Sequence, residues 1–214
     1  LFDNLCNQLE GIQILISNID DKCLSKLFYG RNFPYLTSLY LSGTGITKLE
    51  KKFLNGFPML QKMWFPGIIN LQFIDHDAFS NLTKLEVLSL NSSLNRTYTM
   101  SLDKRFFSNL INLKRLYLSL NRLDAIDENL FSSLHNLENL DLNSNELRSL
   151  DPKSFVGLRS LKKLNLKNNQ LINFDLGILD NIPQIEKIDL IGNPITNKDE
   201  IKNRFVSSKI KFIF

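Results

Sequence analysis

The residues of this chain whose types could perform catalytic chemistry do not form a recognisable catalytic motif. The 214 residues include two histidines, His76 and His135. His76 lies between Asp75 and Asp77, but adjacent residues on a turn point apart, so this run indicates a solvated loop rather than a catalytic site. The sequence contains no HExxH, CxxC, GxSxG or glycine-rich phosphate motif. We therefore expect no enzymatic activity, no metal site and no cofactor.

Composition and charge are those of an ordinary folded chain. Hydrophobic residues make up 43% and charged residues 22% of the sequence, which argues against intrinsic disorder. The formal net charge of +4 is spread along the chain without a block of like charges, so we expect no nucleic-acid partner. No apolar run approaches the roughly 20 residues of a membrane span, so we expect no span within these residues.

An internal repeat organises the sequence. Copies of the template L-x-x-L-x-L-x-x-N-x-L begin at Leu113, Leu137 and Leu161, so successive copies are 24 residues apart. The same frame continues in five further copies, which begin at Leu9, Leu36, Leu60, Leu85 and Ile185. A fixed period of this kind is the signature of a solenoid whose repeats bury a shared core by stacking.

Each position of the template has a structural role. The alternating x-L-x-L segment has the period of a strand with leucines inward and the intervening residues outward. The Asn follows where the chain bends, and its amide can both donate to and accept from backbone groups that the bend leaves unpaired. The last four copies carry Asn121, Asn145, Asn169 and Asn193, and the four earlier copies carry Ser17, Thr44, Ile68 and Ser93. We expect a ladder of hydrogen bonds that is weaker in the first half.

An acidic residue precedes the outer segment of most copies. These acids are Glu50, Asp75, Asp103, Asp127, Asp151 and Asp175, and a Phe or Leu follows each of them four residues later. An acid before a short helical turn is an N-cap, and Pro152 adds the favoured proline at the first position. We therefore predict that the acids cap outer turns rather than bind calcium or perform catalysis.

The 24-residue period, the template and the outer Phe together resemble the leucine-rich-repeat family. Within it, they resemble the typical 24-residue animal subfamily of extracellular proteins, such as Toll-like receptors and insect immune and cell-surface proteins. The resemblance implies an α/β solenoid with a curved parallel sheet on the concave face and short helical or 3-10 turns on the convex face. Residues 1–195 would form about eight repeats preceded by a partial one, and residues 196–214 a capping helix and strand. Because the first residues echo the tail of a repeat, we expect the chain to be a piece of a longer array.

The outward strand residues are the candidates for ligand binding. The central column contains Gln13, Tyr40, Trp64, Ser89, Tyr117, Asp141, Asn165 and Asp189. Trp and Tyr dominate binding hot spots because they combine rigid apolar area with a polar group. We predict a ligand-binding surface for a protein with an acidic edge, made by Tyr40, Lys62, Trp64, Arg115, Tyr117 and Asp141. The alternative is that the aromatic rings only cover one another.

Three N-x-[S/T] sequons, at Asn81, Asn91 and Asn95, are candidate glycosylation sites. Cys6 and Cys23 either form a disulfide or are buried as small hydrophobic residues. The sequons favour a secreted protein or an ectodomain. The lack of the cysteine-rich cap common in extracellular members keeps a cytoplasmic location as the alternative.

These observations predict a non-enzymatic binding module that recognises a protein or glycoprotein ligand through its concave face. The expected role is that of an extracellular receptor or an immune-recognition protein. Two alternatives remain. One is a matrix or adhesion scaffold that forms a homodimer through its own face, and the other is an intracellular adaptor.

Overall fold

The computed structural model describes residues 13–16, 20–42, 45–67, 71–93, 102 and 104–214, and at residues 13–16, 23 and 24 it describes the backbone alone. Eleven strands lie in these residues: β1 Gln13–Ile16, β2 Ser38–Leu41, β3 Lys48–Leu49, β4 Lys62–Trp64, β5 Phe73–Ile74, β6 Val87–Ser89, β7 Arg115–Tyr117, β8 Asn139–Asp141, β9 Lys163–Asn165, β10 Lys187–Asp189 and β11 Lys211–Ile213. Nine of them form one sheet in the order β1-β2-β4-β6-β7-β8-β9-β10-β11, with every pair parallel. Strands β3 and β5 form a second, two-stranded parallel sheet.

Short helices connect the strands on the other side of the array. They are α1 Asp21–Phe28, α2 Lys51–Leu54 and α3 Lys198–Arg204, together with 3-10 helices at Pro152–Phe155 and Leu176–Asn181. One strand per repeat is added to the same sheet in chain order, and the connections return outside it. This arrangement confirms the predicted solenoid with a parallel sheet on one face.

The core lies between the sheet and the outer segments. The inward strand residues from Leu39 to Ile188 are at most 1% exposed, and so are the outer rings Phe79, Phe107, Phe131 and Phe155. The rings of Phe107 and Phe131 stack with their centroids 6.2 Å apart. Full burial of one such side chain contributes roughly 1.5–3 kcal/mol, so the stacked repeats hold one another together mainly through these residues.

The register of the first strand corrects the sequence prediction. Ile14 of β1 pairs with Leu39 of β2, and Leu15 pairs with Tyr40. The central outward column therefore begins with Leu15, and the prediction of Gln13 at this position was wrong by two residues. From Tyr40 onward the predicted column is correct, because Tyr40, Trp64, Ser89 and Tyr117 are paired across successive strands.

The predicted N-caps form at some acids and not at others. Asp151 accepts a hydrogen bond from the N–H of Lys153 at 2.8 Å, and Asp175 accepts one from Gly177 at 2.8 Å. Glu50 makes no such bond, so that prediction was wrong.

The carboxylate of Glu50 instead accepts a 2.5 Å hydrogen bond from the hydroxyl of Tyr29 and lies 3.2 Å from the ammonium of Lys52. The hydrogen bond from Tyr29 lowers the pKa of Glu50 below its usual value. Asp75, of the following repeat, accepts from the N–H of Lys51 at 2.7 Å. It therefore caps the first turn of α2 from outside that turn. Asp103 lies outside the described residues.

The last elements form an aromatic end to the array. Strand β11 pairs with β10, and helix α3 precedes it. The ring of Phe212 lies 5.9 Å from that of Phe174 and 5.2 Å from that of Phe205. These contacts give the last full repeat a packed neighbour, which its inward side chains need in order to be buried.

Candidate ligand-binding face

A ladder of asparagine side chains fixes the edge where the strands end. Asn145 is 6% exposed. Its Oδ1 accepts from the N–H groups of Asn121 and Leu123, both at 3.0 Å, and its Nδ2 donates to the carbonyls of Leu118 and Leu142, both at 2.9 Å. The predicted ladder is confirmed here.

The same pattern recurs along the array. Asn169 and Asn193 also accept from a backbone N–H and donate to two backbone carbonyls, and Asn121 donates to Leu90 and accepts from Ser93. Ser93 replaces the Asn one repeat earlier, as expected, and its buried hydroxyl donates to the carbonyl of Phe65. Ser17, Thr44 and Ile68 lie outside the described residues.

A column of left-handed residues precedes this ladder. Each repeat from the third to the eighth places one residue at positive φ there: Gly67 (67°), Ser92 (54°), Leu120 (61°), Ser144 (54°), Asn168 (54°) and Gly192 (75°). Glycine and asparagine adopt this conformation readily, whereas leucine does so at a cost of roughly 1–2 kcal/mol. Leu120 is also 57% exposed, so burial of its side chain does little to offset that cost.

The structure aligns the predicted ligand-binding residues in two neighbouring columns of the sheet. Tyr40, Trp64, Tyr117 and Asp141 lie in the central column, with Ser89 between Trp64 and Tyr117. The two other predicted residues, Lys62 and Arg115, lie in the adjacent column, separated by Val87. The sheet therefore brings together all six predicted residues.

The three central aromatic side chains are half-buried, and Ser89 between them is 5% exposed. Aromatic contacts occur elsewhere among the described residues, but none joins the rings of Tyr40, Trp64 and Tyr117. The three rings therefore do not stack on one another, which favours the predicted binding surface over the alternative that the rings only cover one another.

The first outward column is an ion-pair column, in which glutamates alternate with lysines. Glu86, Lys114, Glu138, Lys162 and Glu186 follow one another along it. The ammonium of Lys114 lies 3.1 Å from the carboxylate of Glu86, and that of Lys162 lies 3.3 Å from that of Glu138. Exposed pairs of this kind contribute little stability, but within each pair the two charges offset one another.

The second column carries cations that stay unpaired. Arg115, Lys163, Lys187 and Lys211, which we call the cationic column, lie on β7, β9, β10 and β11. No ion pair or hydrogen bond joins their side chains to another side chain in the part of the chain that the structure describes.

The acids of the central column are held by their own backbone. Asp141 Oδ1 accepts from the N–H of Asn143 at 3.0 Å, and Asp189 Oδ1 accepts from that of Ile191 at 3.2 Å. Burial raises the pKa of Asp141, against the opposing effect of the hydrogen bonds from Asn143 and Asn165. The carboxylate of Asp141 is therefore partly desolvated, and it forms no ion pair with a cation of the described residues.

Residues of β7 to β10 line a shallow groove of about 420 Å³ on the concave face. Of the six predicted residues, Arg115, Tyr117 and Asp141 belong to its lining. Its lining includes Tyr117, Asp141 and Asp189, together with the cations Arg115, Lys163 and Lys187. The predicted surface of six residues does not include Lys163, Lys187 or Asp189 of this lining, although Asp189 stands in the predicted central column. Among the described residues, no three His, Cys, Asp or Glu side chains lie close enough to hold a metal ion.

The structure describes two of the three sequons. Asn81 is exposed, and its Nδ2 donates to Asn55 at 2.6 Å. Asn91 is half-buried, and its Oδ1 accepts from the N–H of Ser119 at 2.9 Å. Asn95, Cys6 and the side chain of Cys23 lie outside the described residues. No helix of the described residues is long and apolar enough to cross a bilayer.

Comparison with protein families identifies the repeats. A family model described as leucine rich repeat matches residues 93–147 and 135–195. A second, described as BspA type leucine rich repeat region, matches residues 2–105. The second differs from the typical animal subfamily that the 24-residue period resembles, so the subfamily stays a prediction. No curated protein sequence matches the chain.

Solved structures with the same fold include those of TLR13 and human 5T4. TLR13, in a complex with ssRNA13, is 23% identical, with a TM-score of 0.64 over 92% of this chain. Human 5T4, a trophoblast glycoprotein, is 23% identical, with a TM-score of 0.70 over 84% of this chain. The chain spans 30% of the TLR13 chain and 69% of the 5T4 chain. Identity this low shows the fold alone, and that fold is typically a non-enzymatic binding scaffold.

Proposed function

We propose, on the premise that this chain belongs to the leucine-rich-repeat family, that it is a non-enzymatic module that binds a protein ligand through its concave face. One observation carries the proposal. Tyr40, Trp64 and Tyr117 present half-buried aromatic rings on the sheet face opposite to the core, with no ring contact among the three. Aromatic side chains are the most frequent hot spots in protein interfaces, because they bury a large area at a low cost in conformational entropy.

We further propose an extracellular recognition role. The exposed amide of Asn81 within its sequon supports this proposal, because such an asparagine is accessible to glycosylation. The structural neighbour 5T4 is itself called a glycoprotein. An intact mass that falls on glycosidase treatment of protein purified from its source organism would support the role. An intact mass that does not change on this treatment would contradict the role, because none of the three sequons would then carry a removable glycan.

The binding experiment compares two double variants of the array. Trp64→Ala/Tyr117→Ala removes two rings from the concave face, and Tyr35→Ala/Phe73→Ala removes two rings of similar size that are 47% and 44% exposed elsewhere. Each immobilised array is incubated with proteins from the source organism, and the captured proteins are quantified. We expect the concave variant to capture at least about tenfold less of a protein that the matched control still captures at the wild-type level. The reason is that a hot-spot residue contributes about 2 kcal/mol or more to binding.

Two results would overturn the proposal. The first is capture that is unchanged in the concave variant or that falls equally in the control. The second is a wild-type dimer, seen by sedimentation at micromolar concentration, that the concave variant alone disrupts. That result would make the face a homodimer interface.

A further inference from the structure

We infer that the groove that spans β7 to β10, together with the adjoining strand β11, binds an α-helix that carries a stripe of acidic side chains beside a stripe of basic ones. The inference rests on the proposed function and specifies the partner of the same face. It starts from the charges that the sheet leaves unpaired. Arg115, Lys163 and Lys187 line one side of the groove, and Asp141 and Asp189 line the other. Lys211 continues the cationic column on β11.

The pairing pattern separates structural charges from charges available to a ligand. In the ion-pair column each lysine has a glutamate one strand away, so the fold itself satisfies both. In the cationic column the neighbour of Lys163 is Lys187 on one side and Asn139 on the other. Like charges on adjacent strands destabilise a sheet. A bound acidic stripe would remove this repulsion, which favours a ligand with negative groups at this column.

The two aspartates give the ligand a second stripe of opposite charge. Their Oδ1 atoms are turned to backbone N–H groups of their own turns. That geometry holds them away from the cationic column, and no ion pair forms across the groove in the described residues. A partner that offered only negative groups would leave Asp141 and Asp189 facing a like charge. The face therefore suits a protein with both signs of charge better than a phosphate polymer such as RNA.

The spacing of the stripes selects a helix over an extended peptide. Adjacent strands lie about 4.8 Å apart, so Lys163, Lys187 and Lys211 stand at roughly 0, 4.8 and 9.6 Å along the array. Successive turns of a helix lie about 5.4 Å apart, which leaves a mismatch of about 1 Å at the third position. Residues on one face of an extended chain repeat about every 6.7 Å, which leaves a mismatch of about 4 Å.

The acidic side of the groove fits the same geometry. Asp141 and Asp189 lie on β8 and β10, two strands apart, which corresponds to about 9.6 Å. Two helical turns span about 10.8 Å. Basic residues seven positions apart on the partner helix would therefore face both aspartates, and Tyr117 would contact the helix at one end of the groove.

The test uses a synthetic, alanine-based helical peptide of about 18 residues as the probe. It carries glutamates on three successive turns and two lysines seven residues apart on the neighbouring stripe. A control peptide has the same composition, the same helicity by circular dichroism, and charges scattered around the helix. Affinity is measured by fluorescence anisotropy at about 0.15 M salt, where the screening length is about 8 Å.

We expect the striped peptide to bind at least about tenfold more tightly than the scattered one. Lys163→Glu/Lys187→Glu should remove this preference, whereas the matched change Lys153→Glu/Arg159→Glu, outside the concave face, should keep it. A peptide with lysines in place of the three glutamates should regain binding to the Lys163→Glu/Lys187→Glu array. Equal binding of the striped and scattered peptides would overturn the inference, and so would a single-stranded RNA that binds where the striped peptide does not.

The same charge variant separates this inference from the proposed function. If a protein captured by the wild type is retained by Lys163→Glu/Lys187→Glu but lost by Trp64→Ala/Tyr117→Ala, the concave face binds its partner by other means. The helix inference then falls and the proposed function stands. If neither variant changes capture, both fall.

Discussion

Removal of one ladder side chain should destabilise the array by far more than its size suggests. Asn145→Ala leaves four backbone groups without their partner, namely the N–H groups of Asn121 and Leu123 and the carbonyls of Leu118 and Leu142. A buried group left unsatisfied costs about 1–3 kcal/mol. The Leu142 carbonyl also accepts from Asn169 at 3.0 Å, so about three of the four groups are left without a hydrogen-bond partner. We expect a loss of about 3–5 kcal/mol.

The measurement is urea unfolding followed by circular dichroism and by the fluorescence of Trp64, the single tryptophan of the chain. Coincident transitions at both probes would justify a two-state free energy for the array. The control is Asn109→Ala, which removes an exposed amide and should change the free energy of unfolding by less than about 0.5 kcal/mol. A loss below about 1 kcal/mol at Asn145 would refute the view that its amide satisfies the bend.

Two further predictions concern strain and charge. Leu120→Asn should raise the free energy of unfolding, measured in urea, by about 0.5–1 kcal/mol, because asparagine tolerates positive φ better than leucine. The control is Ile172→Asn, at a similarly exposed position (54%) without positive φ. A gain at Leu120 no larger than that at Ile172 would contradict the prediction. Asp141→Asn should stabilise the array near pH 7, because burial favours the protonated carboxyl in the fold. Because the pKa of Asp141 is raised in the fold, the wild type loses stability as the pH rises above 3.8, the pKa of the unfolded carboxyl. The gain from Asp141→Asn should therefore vanish near pH 3. An equal gain at pH 3 and pH 7 would contradict the desolvation of Asp141.

The ladder and the strands were predictable because they depend on local periodicity. The template places leucines inward and asparagines at the bend, and both roles follow from the chemistry of the residue and its spacing. The first repeat shows where this reasoning fails. Ile12, Ile14 and Ile16 alternate in the same way, so a shift of two residues preserves the alternating pattern of isoleucines. Only pairing with β2 decides that Ile14, rather than Ile12, lies beside Leu39.

The charges of the binding face depend on neighbours in space. Lys114 and Arg115 are adjacent in sequence, yet Lys114 pairs with Glu86 whereas Arg115 stays unpaired among the described residues. The difference arises because they stand in different columns of the sheet, where Lys114 lies beside Glu86 and Arg115 beside Val87. Glu50 fails as a cap for a similar reason, since Tyr29 of the preceding repeat supplies a competing donor. No property of these residues alone could have separated the cases.

The alternation of the ion-pair column has a consequence for how the array can be shortened or recombined. Glutamate and lysine alternate from Glu86 to Glu186, one residue per repeat. Excision of the single repeat that contains Glu138 would place Lys114 directly beside Lys162, whereas excision of that repeat together with the next would place Lys114 beside Glu186. The smallest exchangeable module of this region is therefore a pair of repeats.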